Sequence, residues 1–402
     1  MSSRKNKLIY IARYADDKLI EFGLAEPSHS LTRKVQGVSS ALNCISQPTY
    51  ILASRLRSKK FSKPFVYKQG KNIIIVPYSI PIYLGSLGNY VVGIISSAFI
   101  VRKFFKKNLK RKYLSRVVIW DLLPDSVLPV LFSVSLKKNV ILDVEEFLSD
   151  DPEASQIFKI FERICLKCMK FKSVISSFNL TGNRFKLKSK IIIPGFSSID
   201  YDEEIKYKKI RQLNIDTGDK LRIIFSGRLD ATRGLKEFIN IASFMEDDKR
   251  FIFVITGFGS KTVINELKNK VRKMKNVILK IDLNRNDYMN EITSCDVGFS
   301  YLDSSQFQSS SFPSKLIEYM SWLPLTISNI DFNKEMPGSI HIFDDDSHNK
   351  DYVLEMFQNI YKNIDKYKET YLARLNSKNP YSINRFAEDN KKLLEEIFYE
   401  NY

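Results

Sequence analysis

The sequence predicts an α/β protein built from two Rossmann-like, doubly wound domains. Three observations carry this reading. Short β-branched runs recur along the 402 residues, with helical stretches between them. The runs are apolar at nearly every position, the pattern of parallel strands covered on both faces. They also fall into two series separated by a polar interval. Strands alternating with helices give βαβ units and open sheets.

In the first series the expected strands are KLIYIA (7–12), TYILA (49–53), NIIIVP (72–77), RVVIW (116–120), NVILDV (139–144), SVISS (173–177) and KIIIP (190–194). The interval 195–220 is highly charged and has no apolar period, so it reads as the interdomain linker. The second series is LRIIFSG (221–227), FIFVITG (251–257), NVILKI (276–281), CDVGFS (295–300), LTISN (325–329) and IHIF (340–343). The tail reads as a helix that begins near Ser382. This gives domains over 1–205 and 206–381, followed by a C-terminal helix over 382–402.

A net charge of +18 points to a polyanionic partner: nucleic acid, an anionic membrane face or a phosphorylated small molecule. A lysine-rich composition explains part of it. Cys165 and Cys168 form the one close cysteine pair, and no second pair or nearby histidine completes a zinc site, so reduced thiols in a cytosolic chain are expected. The N-terminus does not read as a signal peptide, because its apolar run is short and Asp16 follows. The most apolar run, 90–101, is shorter than the ~20 residues that span a bilayer. A soluble or peripheral protein is expected.

Three segments could carry chemistry. In IIFSGRLDATRG, a strand ends at Gly227 and two cations, Arg228 and Arg233, bracket the loop to the next helix. Ligands of open α/β sheets bind beyond the carboxyl ends of strands, and guanidinium groups suit phosphate. A solvated turn is the other reading. In VITGFGS, Gly257 and Gly259 let backbone approach a ligand, although a tight turn explains them equally. In SSSFPSKLIEYMSWLP, Ser311 or Ser314 can cap a helix with Pro313 in its first turn, and the outward N–H groups there suit phosphate. Glu318 then stands alone among apolar residues, either reaching solvent or accepting from hydroxyls such as a ribose diol.

GRLDATRG, ITGFG, CDVGFSYLDSS and FPSKLIEYMSWLPLTISN follow one another in the order and spacing of glycosyltransferase family 4, and over residues 220–330 the chain resembles that family. The resemblance implies the GT-B fold, in which two Rossmann-like domains face a cleft and a C-terminal helix crosses back to the N-terminal domain. It implies a retaining glycosyltransferase with a nucleotide-diphosphate-sugar as donor and no metal. Arg228 and Arg233 match the pair that grips the donor diphosphate. Gly227, Gly257 and Gly259 match the turns beside the donor, and Glu318 matches the second glutamate of an E-x7-E motif. Ser310 stands where that motif has its first glutamate. Ser311, Phe312, Pro313, Ser314, Lys315 and Leu316 form the loop and first helical turn that would hold phosphate and sugar.

The N-terminal half lacks the family's glycine-rich loop. Asp121 and the acids Asp143, Glu145 and Glu146 fall at strand ends, and one of them, with Asp121 and Glu145 foremost, would orient the acceptor hydroxyl; helix-start or surface acids are the other reading. Residues 101–116 hold eight basic residues and no acid, directly after the apolar run. A surface lying on an anionic membrane over 90–116 and a solvated helix face are the two readings. The expectation is a cytoplasmic enzyme, peripheral at the inner membrane face, that moves a hexose-type sugar to a saccharide or lipid-linked acceptor in surface polysaccharide (capsule or lipopolysaccharide) synthesis. The rivals are a non-catalytic nucleotide-sugar-binding partner of another transferase, a basic nucleic-acid-binding protein and an NAD-type enzyme. No nucleic-acid recognition motif and no complete G-x-G-x-x-G is present, so neither nucleic acid nor NAD is expected as a partner.

Overall fold

A computed structural model of the chain describes residues 7–25, 29–43, 49–54, 59–81, 85–110, 115–132, 140–144, 147–148, 155–169, 171, 173–176, 190–193, 196, 201–214, 219–229, 234–302, 314–329, 340–343, 349–376, 383–392 and 394–395. The chain divides into two compact units. The first holds Met1–Ile199 and Ile383–Tyr402, and the second holds Asp200–Gln308 and Pro313–Ser382.

Among the described residues, the first unit forms an eight-stranded sheet. Its strands are β1 (Lys7–Ala12), β2 (Thr49–Ala53), β3 (Phe65–Gln69), β4 (Asn72–Val76), β5 (Ser115–Trp120), β6 (Val140–Val144), β7 (Ser173–Ser176) and β8 (Lys190–Ile192), in the order β3-β4-β2-β1-β5-β6-β7-β8. All neighbours are parallel except β3, which pairs antiparallel with β4. β1 contributes Ile9 and Ile11 to one face and Leu8, Tyr10 and Ala12 to the other, and both faces are core. β3 is absent from the sequence reading. Its side chains alternate between half-buried and exposed, so FVYKQ never forms an apolar run.

The helices of this unit are α1 (Asp17–Glu21), α2 (His29–Leu42), α3 (Ser86–Lys110), α4 (Pro124–Leu131) and α5 (Gln156–Cys168). α3 has 25 residues and extends well beyond the apolar run 90–101. The expectation that this segment is too short to cross a membrane is therefore corrected: Leu87–Phe104 is long and apolar enough by length and composition.

Among the described residues, the second unit forms a six-stranded, all-parallel sheet of β9 (Leu221–Arg228), β10 (Phe251–Phe258), β11 (Val277–Ile281), β12 (Val297–Ser300), β13 (Leu325–Ser328) and β14 (Ile340–Ile342), ordered β11-β10-β9-β12-β13-β14. Its helices are α6 (Tyr201–Asn214), α7 (Leu235–Phe244), α8 (Lys261–Val271), α9 (Arg285–Thr293), α10 (Ser314–Trp322), α11 (Lys350–Lys362) and α12 (Ile364–Asn376).

The interval read as a linker contains α6. Its few apolar residues hide the helix from a periodicity reading, because a cation holds it. Arg211 is fully buried and donates to the carbonyls of Thr293 (2.6 Å) and Cys295 (2.8 Å). Tyr207 packs edge-on against Trp322. In the first unit, α13 (Ile383–Asp389) packs on α2, and Phe386 meets the Phe196 ring at 5.6 Å.

Candidate functional site

β9 and β10 run in register to their last residues, with Gly257 opposite Gly227. Both glycines have positive φ, 142° and 157°. A Cβ on Gly257 would lie 1.9 Å from the Gly227 carbonyl oxygen. The strand ends can close on each other only because Gly257 carries no side chain. Gly257→Ala is accordingly expected to spread them and cost about 2–3 kcal/mol in strain alone. Chemical denaturation checks this, and an unchanged transition midpoint would contradict it. Gly259 follows in the same turn, where a Cβ would sit 3.2 Å from the Leu229 carbonyl.

The chain leaves β9 for β10 and β11 on one side and returns to β12 on the other. The order therefore reverses between β9 and β12, where ligands of open α/β sheets bind beyond the carboxyl ends of the strands. At this point Ser226 of β9 donates its N–H to the Tyr319 hydroxyl oxygen (2.8 Å). Its Oγ lies 3.0 Å from that hydroxyl and 3.1 Å from the Tyr288 hydroxyl. Tyr288 donates to Glu318 Oε2 (2.9 Å). Lys315 Nζ reaches the same oxygen at 2.7 Å, and Arg285 Nη1 reaches Oε1 at 3.1 Å.

Local sequence explains the convergence. Lys315 and Glu318 are three apart on α10, and Arg285 and Tyr288 are three apart on α9, so each pair shares a helix face. Asn284 caps α9 by accepting from the Asp287 N–H (3.0 Å), which fixes where that helix begins. The Lys315 ammonium also lies 4.5 Å from the Tyr288 ring centroid. Burial, together with the adjacent Glu318 charge, pushes the Tyr288 phenol well above its ordinary pKa. It therefore remains a hydrogen-bond donor throughout the physiological range. Among the described residues the cluster brings Arg285 and Lys315 to Glu318, and Arg228 is an exposed cation at the end of β9. Positive charge beside the start of a helix is suited to a dianion.

Gly227, Arg228, Gly257, Gly259, Lys315 and Glu318 all lie at this end of the second sheet. Leu316 is fully buried and serves the core, leaving only its backbone to the first turn of α10. Ser314 opens that helix. Arg233, Ser310, Ser311, Phe312 and Pro313 lie outside the described residues, as does Glu145. Sequence reasoning missed Ser226, Arg285, Tyr288 and Tyr319. The available signal was Asn284 as a cap directly after β11, with Arg and Tyr on the face that follows.

The first unit carries an equivalent reversal, since β1 is flanked by β2 and β5. There Asp125, in the first turn of α4, is fully buried. It accepts from Arg13 Nε and Nη2 (both 3.2 Å), Ser54 Oγ (3.2 Å) and the Tyr90 hydroxyl (3.1 Å). Burial acts against the Arg13 charge, but Asp125 outweighs it and holds the guanidinium above its ordinary pKa. The Arg13 side chain remains 25% exposed. Asp121 directly follows β5 with φ 51°, a left-handed conformation rare outside glycine, and it is buried. Asp143 is the penultimate residue of β6, but its side chain does not open to a ligand. It is fully buried within β6, paired with Lys34 of α2 (3.1 Å) and bonded by the Tyr10 hydroxyl, so its role is in the core.

Solved structures with similar architecture span nearly the whole chain. Sucrose-phosphate synthase from Thermosynechococcus elongatus superposes with a TM-score of 0.64 at 13% identity, covering 98% of this chain and 99% of its own. The E. coli trehalose-6-phosphate structure bound with UDP-2-fluoro glucose gives 0.61 at 11% identity, covering 97% and 99%. The fold is GT-B. A glycosyltransferase from Rickettsia africae shares it at a TM-score of 0.56 and 14% identity, with 99% and 100% covered. No protein-family model matches the chain, and no curated protein matches it in sequence. The GT-B expectation drawn from the four motifs is thus shown at the level of fold.

Proposed function

We propose that the chain is a retaining glycosyltransferase of the family 4 type, moving a hexose-type sugar from a nucleotide-diphosphate-sugar to a saccharide or lipid-linked saccharide. The observation that carries this reading is the convergence of Arg285, Lys315, Tyr288 and Glu318 at the β9/β12 reversal. Support also comes from two structural neighbours, one solved with UDP-2-fluoro glucose and one, a UDP-forming trehalose-phosphate synthase from Burkholderia xenovorans, in complex with glucose-6-phosphate.

In this reading the ribose hydroxyls bind Glu318 and displace Lys315 and Arg285, which turn to the diphosphate with Arg228. As the sugar C1–O bond breaks, its electron pair goes to the diphosphate oxygen, and these cations and the first turn of α10 stabilise the charge that develops there. The sugar passes through an oxocarbenium-like state, and the acceptor oxygen attacks C1 from the face the leaving group departs, giving its proton to the departing diphosphate oxygen. The reading assigns the leaving-group charge to these side chains, without a metal. On the acceptor side, the exposed part of Arg13 would hold a polar or anionic group of the acceptor, with Asp121 beside it. A place in bacterial surface polysaccharide synthesis, on the cytoplasmic side, completes the proposal.

Thermal shift against UDP, GDP and ADP and their sugar derivatives tests the donor site. A ligand at one hundred times its Kd stabilises by about 2.7 kcal/mol, which for a unit of this size raises Tm by roughly 5–10 °C. One nucleotide should produce the shift, and Arg228→Ala should reduce it. No shift at millimolar concentrations with any of them would sink the proposal. Donor binding with no turnover on any acceptor would favour the non-catalytic partner, the reading suggested by Ser310.

A further inference from the structure

We infer that α3 lies in the plane of an anionic lipid bilayer, with its outer face inserted into the headgroup region. Every fourth residue along the helix forms one row: Leu87, Val91, Ile95 and Phe99, which are 73%, 45%, 50% and 68% exposed. The next residue in that row is Lys103, and Arg102 and Lys106 flank it, all three exposed. A single stripe thus passes from apolar to basic along the helix. Phe132, 59% exposed at the end of α4, widens the apolar part, and with Ile95, Ala98, Phe99 and Arg102 it lines a shallow groove.

The opposite face excludes a spanning helix. Ile94, Ser97 and Val101 are buried, and α3 packs on α4 and β5. To cross a bilayer the helix would have to strip itself from this core. Lying flat, it keeps the core and buries the stripe, the arrangement of an interfacial amphipathic helix.

Charge selects the occupant. Residues 27–120 contain seventeen Lys or Arg and no Asp or Glu. A second copy docked on this face would bring cations against cations with no acid from the whole segment to pair them. An anionic headgroup surface supplies the missing charge, and long basic side chains reach it while their stems stay among lipid. This inference does not depend on the donor site.

Flotation of the full chain with vesicles tests it. Vesicles of phosphatidylcholine with one third phosphatidylglycerol should carry the protein upward, and pure phosphatidylcholine should carry far less. Added salt should weaken capture. Ile95→Glu with Phe99→Glu should abolish capture while leaving the melting temperature unchanged, because both side chains are exposed. Removing Arg102, Lys103 or Lys106 singly should lower vesicle affinity about fivefold each. Failure of the wild-type chain to float with anionic vesicles would overturn the inference, as would undiminished capture of the double glutamate variant. Light scattering that shows a dimer broken by the same double variant, with no vesicle capture, would overturn it in favour of self-association.

Discussion

Asp125→Ala is expected to lower the melting temperature of the first unit by about 10 °C. The carboxylate has no exposure and accepts from Arg13, Ser54 and Tyr90. Truncation removes the guanidinium's hydrogen-bonded counter-charge and the carboxylate to which two hydroxyls donate. Breaking a buried pair in this way costs about 3–5 kcal/mol, and each kcal/mol moves Tm by about 2–4 °C at this size. Most of the cost is the stranded cation, so Arg13→Met added to Asp125→Ala should restore part of the loss, a coupling that only residues in contact show. Asp125→Asn should fall between the two, since an amide still accepts from the hydroxyls but carries no charge. Scanning calorimetry on the four proteins decides the matter. A change below about 2 °C for Asp125→Ala would mean that water reaches the cluster and replaces the carboxylate.

Glu318→Ala should split two affinities that normally move together. Nucleoside diphosphate should bind about tenfold more weakly, the loss of hydrogen bonds to a charged group being about 1.5–3 kcal/mol. Inorganic pyrophosphate should bind as well or a few-fold better, because Arg285 and Lys315 lose the carboxylate that occupies them. Isothermal titration calorimetry with the two ligands reads the difference. If both fall in parallel, Glu318 serves only to position the cations, and the ribose assignment is wrong.

Which parts of the molecule were legible in the sequence follows from how each is held. Strands covered on both faces announce themselves, and runs such as RIIF and FVITG lie within β9 and β10. Elements held by something other than an apolar face do not. β3 is an edge strand with half of its side chains in solvent, and α6 is anchored by a buried arginine on backbone carbonyls. Neither leaves a hydrophobic period to read. The site divides in the same way. Gly257 and Glu318 were visible because each violates its surroundings, one as glycine in a strand and the other as an acid in an apolar helix. Arg285 and Tyr288 look like ordinary surface residues of a polar helix, and only the crossing of α9 by α10 brings them to Glu318. Asp143 shows the converse error. Its position near the end of an apolar run suggested an open acid, but its side chain is fully buried and Lys34 neutralises it from α2.

The return of the tail to the first unit has a consequence for biosynthesis. Phe386 and Leu394 belong to the core that also contains Tyr10, Val38 and Phe196. Chains emerge from the ribosome N-terminus first, and domains generally fold as units in that order. Here the half translated first waits for residues that follow the second unit in the chain, while the second unit already has all of its described strands. The late-made half can therefore fold early, and the early-made half stays unfinished until residues 383–394 have emerged. A nascent chain arrested before residue 383 should display a protected second unit joined to a protease-sensitive first one.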